Sequence, residues 1–546
     1  MDHSPVPTAT DPSLEPPPAW IESCDPTTGT CWHRVRAASP TDVGGHVARA
    51  RVAQVAWAAQ PLARRVAVVD RFHALLVQRR RDVAETIRRE VGKPALEALA
   101  TEVAPVLDHA RFLVRRAQRT LARRRVAIAS LVHARKRVTL LREPHGVVGV
   151  ISPWNYPFML AAAHVLPALL AGNAVLLKPS EHSTATGILL AELLHEAGVP
   201  KELLVVVPGG AATGAALVTE GCDAIFFTGS EATGRRIARA CGERLIPCSL
   251  ELGGSDAAIV LEDAVLDVAA AGIVWGRFSN CGQSCVAPKR VFVVAAVHDA
   301  FVARVAERVR ALRVGDTATD AEIGPPVNDR QRRVVSAQLE DARTRGARVA
   351  ARAAVPDDAR YAIPAVLVDV PADARVMREE TFGPLLPIVC VADEAEAVRQ
   401  ANATTFGLSA SVWSGNRRRA MRVARALVAG TVMVNDVLSA AGIAEVAHGG
   451  TQSSGSGRAH GVDGLLACTR TKTLVDDRLP RHEQPWWFDY SDSLDAFIAL
   501  LHGTSWRSRV AALPHALPVL RRLLARAPHA ERPLPPLPSP SSSARA

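Results

Sequence analysis

Apolar residues follow two different rhythms along this chain. Between residues 41 and 120 they recur at helical spacing, as in Val66-Ala67-Val68-Val69-Asp70-Arg71-Phe72-His73-Ala74-Leu75-Leu76, where positions three and four apart share one face. That run is expected to stop near Glu90-Val91-Gly92-Lys93-Pro94, where a glycine and a proline end a helix. From 146 to 260 short apolar runs alternate with helical stretches. Val147–Ile151, Ala174–Leu177, Leu203–Val207, Ala224–Phe227 and Ala257–Val260 read as strands, and Thr184–Ala197 as an intervening helix. Continuous apolar strands separated by helices predict an α/β fold whose parallel sheet is buried on both faces. A second α/β stretch runs from about 285 to 460. Residues 126–142, with Arg137-Val138-Thr139-Leu140-Leu141, read as strand. The most apolar stretch, Ala161–Leu177, is interrupted by His164, Pro167, Gly172 and Asn173, so it reads as helix, turn and strand rather than a membrane span.

The ends differ from the middle. Pro5, Pro7, Pro12, Pro16, Pro17 and Pro18 make residues 1–18 a disordered lead-in by composition. Beyond 478, Pro485-Trp486-Trp487-Phe488 precedes two apolar, helix-like stretches, and Pro533–Ala546 is rich in Pro and Ser. Within Ser505–Ala527, Trp506, Val510, Leu513, Leu517, Leu520 and Leu524 are flanked by Arg507, Arg509, Arg521, Arg522 and Arg526. An apolar face with Arg flanks suits a membrane surface; packing on the chain's own catalytic part is the equal alternative. Pro514 and Pro518 argue against one continuous helix there.

Composition narrows the classes. A chain of 546 residues is expected to form two or three domains. Aromatics are 4%, so the core is expected to be built from Ala, Val, Leu and Ile. The net charge of +11 comes mainly from Arg, spread along the chain with small clusters such as Arg123-Arg124-Arg125 and Arg417-Arg418-Arg419. No aromatics interleave with them, which speaks for an Arg-rich surface and against nucleic-acid binding. Nine Cys without a regular framework, and no basic-then-apolar leader, predict free thiols in a reducing cytoplasm.

Several segments carry candidate chemistry, and each also has an ordinary structural reading. Asn280-Cys281-Gly282-Gln283-Ser284-Cys285 sets thiols beside a glycine turn, where a thiolate nucleophile has room; a buried Cys is otherwise a small hydrophobe. No further Cys or His pair stands at metal-ligand spacing, so no metal is expected. Leu250-Glu251-Leu252-Gly253-Gly254 puts a carboxylate among apolar neighbours, where burial raises its pKa toward that of a general base. Pro153-Trp154-Asn155-Tyr156-Pro157-Phe158 follows a strand, so the Asn155 carboxamide can point into a crevice. Lys178-Pro179-Ser180-Glu181, at another strand end, can meet ribose hydroxyls. Phe226-Phe227-Thr228-Gly229-Ser230 runs from strand into helix and exposes backbone N–H groups to a phosphate, although it is not G-x-G-x-x-G. Glu380-Thr381-Phe382-Gly383-Pro384 reads as a structural turn.

In this order the motifs closely resemble the aldehyde dehydrogenase superfamily over about residues 20 to 478. Phe278–Cys285 matches F-x-N-x-G-Q-x-C with Glu251 thirty-four positions upstream, and PWNYPF, KPSE, FTGS, ELGG, EETFGP and Ser454-Gly455-Ser456-Gly457-Arg458 accompany it. The resemblance implies that Cys285 is the nucleophile, Glu251 the general base, and Asn155 with the Cys285 N–H the oxyanion hole. It implies a cofactor site of Ser152, Pro153, Trp154, Lys178, Ser180, Glu181, Gly209, Gly229, Ser230, Leu252, Glu380 and Phe382. Lys178 and Glu181 fall at the adenosine ribose, Gly229 and Ser230 at the pyrophosphate, and Glu380 and Phe382 at the nicotinamide side. The implied cofactor is NAD, with NADP possible, and the implied substrate a small-molecule aldehyde.

The implied fold has three parts. A Rossmann-like cofactor domain takes 19–125 and 144–252, and an α/β catalytic domain takes 253–463. A β-strand oligomerisation arm at 126–143 and 464–478 implies a homodimer or homotetramer. Residues 479–546 form an extension outside the family pattern. The chain departs from that pattern at Ser255-Asp256 and at Ala447-His448-Gly449-Gly450, the latter near the expected substrate tunnel.

Overall fold

Gly92 takes a left-handed conformation (φ +80°) that ends the helix Leu62–Val91, as the Gly-Lys-Pro sequence predicts. The computed structural model describes residues 19–130, 133, 135–478, 487, 492–502 and 504–524. The proline-rich lead-in, the Pro/Ser-rich end, and Pro485, Trp486 and Phe488 lie outside them. The chain divides into two compact units, residues 1–122 with 142–470, and residues 123–141 with 471–546.

The first unit contains two large sheets. One has six strands in the order Gly455–Ser456, Cys248–Glu251, Ala224–Thr228, Val147–Ile151, Ala174–Lys178, Leu204–Val206. All neighbours are parallel except the short Gly455–Ser456 strand. Every residue of Val147–Ile151, Ala174–Lys178 and Ala224–Thr228 is buried, which explains their unbroken apolar composition. The chain leaves Val147–Ile151 toward Ala174–Lys178, then returns to place Ala224–Thr228 on its other side. That reversal opens a crevice at the strands' carboxyl ends. The second sheet has seven strands in the order Arg348–Arg352, Ala365–Val368, Leu385–Val391, Pro288–Val294, Asp256–Val260, Ser409–Trp413, Thr431–Val434, parallel except for its first pair. Two clusters of mainly Val, Leu, Ile and Ala pack these sheets, as the scarcity of aromatics implies. The stretch 161–177 is the helix Pro157–Ala171 followed by strand Ala174–Lys178, with Gly172 in the turn.

A three-stranded sheet orders Thr469–Asp477, Lys136–Pro144 and Arg124–Val126. The expected single strand over 126–142 is thus two, Arg124–Val126 and Lys136–Pro144. The second unit also holds the helices Asp492–His502 and Trp506–Leu524, joined through Phe497, Ala516 and Val519. Here the proline argument fails: Trp506–Leu524 is one helix containing Pro514 and Pro518. Both prolines lie on its exposed side, so carbonyls that lose their i+4 partner can face water.

The expectation of nine free thiols also fails. Antiparallel pairing of Trp20–Cys24 with Cys31–Arg36 sets Cys24 opposite Cys31, and the two form a disulfide. The other seven are free. Cysteine usage therefore no longer argues for a reducing compartment. No helix among the described residues is long and apolar enough to cross a membrane.

Candidate active site

Four parallel strands of the six-stranded sheet end at one edge, and each delivers residues that the sequence singles out. Val147–Ile151 leads into Ser152-Pro153-Trp154-Asn155, Ala174–Lys178 ends on Lys178, Ala224–Thr228 leads into Gly229 and Ser230, and Cys248–Glu251 ends on Glu251 and leads into Leu252. Asn155 is buried directly before the helix Pro157–Ala171. The Glu102 carboxylate caps that helix, accepting the N–H groups of Phe158 (2.8 Å) and Met159 (3.2 Å). Lys93 pairs with Glu102 at 2.9 Å, donates to the Asn155 carbonyl at 2.8 Å, and lies 3.8 Å from the Tyr156 ring centroid. A buried charge pair thus fixes the backbone that presents Asn155.

The thiol loop is shaped by its backbone. Asn280, Cys281 and Gly282 have φ of 51°, 54° and 72°. Only the glycine accepts this without strain, and a Cβ there would lie 2.5 Å from the Gly383 backbone. The polar residues of the motif are the fasteners: Asn280 donates to the Asn155 carbonyl (2.8 Å), and Gln283 donates to Asn280 O (3.0 Å) and accepts from Val327 N (2.9 Å). The two thiols separate cleanly. Cys281 is 2% exposed and belongs to the core, whereas Cys285 is half-buried and lines a cavity of about 150 Å³ together with Glu251 and Leu252.

Burial dominates the electrostatics. It pushes the Cys285 thiol up to about 12, with Lys289 pulling it back. It pushes Glu251 up to about 8, against the nearby Arg458 guanidinium and the Ala459 N–H, and neither carboxylate oxygen has a hydrogen bond of good geometry. Lys289 was not singled out from sequence. Its ammonium donates to the carbonyls of Ser284 (2.8 Å) and Cys285 (2.5 Å) and stands 3.9 Å from Glu380. The only sequence signal for it is a Lys inside an apolar strand, Pro288–Val294.

The remaining expected residues are held by contacts of their own. Glu380 accepts the Gly254 N–H at 3.0 Å, and Gly253 leaves the space it needs, since a Cβ there would sit 2.2 Å from its carboxylate. Trp154 and Phe382 meet edge to face at 5.4 Å. Lys178 donates to the carbonyls of Pro179 (3.0 Å) and Gly209 (2.7 Å) and lies 3.9 Å from Glu181. Burial pushes Glu181 up, but Lys178 and further hydrogen-bond and charge contacts outweigh it, so its carboxyl ends below the usual range. Ser180 Oγ lies 3.4 Å from that carboxylate. Ser230 caps the helix Glu231–Glu243 through Thr233 N. The buried hydroxyls of Ser152 and Thr228 have no hydrogen-bond partner among the described residues. Unfilled donors, a capped helix N-terminus and glycines that admit no Cβ fit a dinucleotide.

The sequence matches the family model described as "Aldehyde dehydrogenase family" over residues 15–474.

The chain belongs to the aldehyde dehydrogenase family.

Aldehyde dehydrogenases resembling it include a Mycolicibacterium smegmatis protein named "Putative succinate-semialdehyde dehydrogenase [NADP(+)]", 41% identical over 449 residues, or 81% of this chain and 86% of that one. Another is the "4,4'-diapolycopene aldehyde oxidase" of a Methylomonas species, 37% identical over 88% of this chain and 91% of that one. Among solved structures, a Mycobacterium tuberculosis aldehyde dehydrogenase complexed with NAD+ aligns with a TM-score of 0.80 at 32% identity, covering 85% of this chain and 95% of that one. This aldehyde dehydrogenase has the family's α/β fold and is an NAD(P)-dependent aldehyde oxidoreductase.

Proposed function

We propose that the chain oxidises an aldehyde to the free carboxylic acid through a covalent intermediate on Cys285, with Glu251 as general base. The observation that carries this reading is the shared cavity: the accessible thiol of the 280–285 loop and a buried carboxylate raised to about 8 line the same small space. The ionised Glu251 carboxylate takes the Cys285 thiol proton and passes it to water, and the sulfur adds to the carbonyl carbon to give a thiohemiacetal oxyanion. The Asn155 amide has two N–H donors; one is held by Gln283 O at 3.1 Å, leaving one for the oxyanion beside the Cys285 N–H. When bound, NAD(P)+ supplies the hydride-accepting chemistry. Loss of hydride from the thiohemiacetal carbon leaves a thioester on Cys285. Glu251 then takes a proton from water as its oxygen attacks that thioester; the C–S bond breaks, and acid and thiol are released.

Lys178, Ser180, Glu181 and Gly209 are proposed to hold the adenosine ribose side. Gly229 and Ser230 are assigned the pyrophosphate, and Ser152, Pro153, Trp154, Leu252, Glu380 and Phe382 the nicotinamide side. Acyl transfer to coenzyme A is the competing outcome, and Glu251 speaks against it because a water-activating base is then unnecessary. Chromatography of products with and without coenzyme A tests this: free acid under both conditions is expected, and acyl-CoA as the main product overturns it.

The reading extends to assembly and location. Strand Thr469–Asp477 is an edge strand with Leu474 and Val475 exposed, which supports sheet extension between copies in a homodimer or homotetramer. Helix Trp506–Leu524 exposes Trp506, Val510, Leu513 and Leu517, spaced to share one face, with Arg507 and Arg509 also exposed. That combination supports attachment to an anionic membrane surface. Dependence on NAD(P)+ supports a cytoplasmic location.

A further inference from the structure

Three histidines line the cavity that holds Cys285 and Glu251, and the reaction scheme uses none of them. His164 comes from the helix Pro157–Ala171, and His448 and His460 from the two sides of the Ser454–Arg458 segment. They are 5%, 8% and 3% exposed, and the buried Nδ1 atoms of His448 and His460 have no hydrogen-bond partner among the described residues. His460 packs edge-on against the buried His109 at 4.8 Å, and His164 lies 5.2 Å from the Phe226 ring. Four imidazoles are thus gathered behind the reacting groups.

Burial pushes His164 and His448 down to about 4, and His460 well below its ordinary value, so all three are neutral at pH 7. A neutral imidazole offers one donor and one acceptor. No Lys or Arg among the described residues lines this cavity. A substrate carboxylate would lose its water there without gaining a counter-ion, which is costly. A hydroxyl, which both donates and accepts, would instead suit the neutral rings of His448 and His460, each of which has an unpartnered nitrogen.

Resting on the covalent reading above, we propose that this enzyme's aldehyde is uncharged and carries a hydroxyl group held by the imidazoles of His448 and His460. The specificity therefore differs from that in the name of the succinate-semialdehyde relative.

The test compares four C4 aldehydes: butanal, 2-hydroxybutanal, 3-hydroxybutanal and succinate semialdehyde. Each is assayed for kcat/KM with saturating NAD+ in wild type, His460→Phe, His448→Phe and His460→Asn. At least one hydroxybutanal is expected to exceed butanal by about tenfold, the scale of one buried hydrogen bond. Succinate semialdehyde is expected to fall at least about tenfold below butanal. In the Phe variants the hydroxy-to-butanal ratio should drop to within about twofold of unity, while His460→Asn, which keeps a donor and an acceptor, should retain most of it. Ratios within one protein do not depend on the fraction folded. Preference for succinate semialdehyde, or oxidation of butanal with no hydroxyl preference, overturns this proposal alone. Failure to oxidise any of the four, with NAD+ binding intact, overturns the covalent reading as well.

Discussion

Asn155 and Gln283, 128 residues apart in sequence, are joined by a 3.1 Å hydrogen bond from the Asn155 amide to the Gln283 carbonyl. Asn280 closes the loop by donating to the Asn155 carbonyl at 2.8 Å. The turn that carries the thiol and the strand end that carries the carboxamide are therefore set in one piece. Replacing Asn155 by Ala removes both the oxyanion donor and this tie. We expect kcat to fall by about 10²–10³-fold, with NAD+ affinity changed less than about threefold. An unchanged kcat, measured by steady-state kinetics, would contradict the role given to Asn155.

The second prediction concerns pH. A general base acts only when ionised, and burial raises Glu251 to about 8 in the fold. Below that pH the base form is a minority, so the deacylation rate should fall as pH drops, by about tenfold per unit well below 8. Above 8 it should level off. Glu251→Gln should lose this dependence along with about 10²–10⁴-fold of the rate. A profile of single-turnover deacylation that stays flat between pH 6 and 9 in wild type would be inconsistent with Glu251 as base.

The cofactor preference turns on one carboxylate. Glu181 is ionised beside Lys178, and the proposed site sets it at the adenosine ribose, where a carboxylate suits a hydroxyl better than a phosphate. At about 4 Å and an effective dielectric near 20, two like charges repel by roughly 4 kcal/mol. Its half-exposed side chain reduces this, yet even about 1.4 kcal/mol is tenfold in kcat/KM. Wild type should prefer NAD+ over NADP+ by about tenfold or more, and Glu181→Ser should raise NADP+ use. Equal use by wild type, or no gain in the variant, would remove Glu181 from this role.

The sequence makes one side of each long-range relationship visible. Strand ends are legible because buried parallel strands must be apolar, so Asn155, Lys178, Gly229 and Glu251 stand out as the polar or glycine positions that follow. The groups that hold them are not. Lys93 and Glu102 lie in a helical region where charged residues are ordinary, and only the fold buries them together. Lys289 is one cation inside a strand, and the histidines are scattered from 109 to 460. The Cys24–Cys31 pair needs the strand register, not the cysteine count. Pro514 and Pro518 are misread because proline breaks a helix where carbonyls are buried and is tolerated where they face water.

Residues 479–546 offer a separate test. Deleting them should leave kcat/KM within about twofold, because no residue assigned to the site lies beyond 460. Flotation with anionic vesicles should recover the full chain, while the truncated chain stays in the dense fraction. Equal behaviour of the two would remove membrane attachment by the exposed Trp506–Leu517 stripe.

The central claim is that Cys285 carries the acyl group that Glu251 helps to hydrolyse. Intact-protein mass spectrometry of Glu251→Gln, quenched in acid after mixing with NAD+ and butanal, tests it directly. The account predicts a near-stoichiometric adduct of acyl mass, mapped to Cys285 by peptide analysis, accompanied by one equivalent of NADH and absent in Glu251→Gln/Cys285→Ala. NADH formation by the Cys285→Ala protein, or an adduct on another residue, would contradict it.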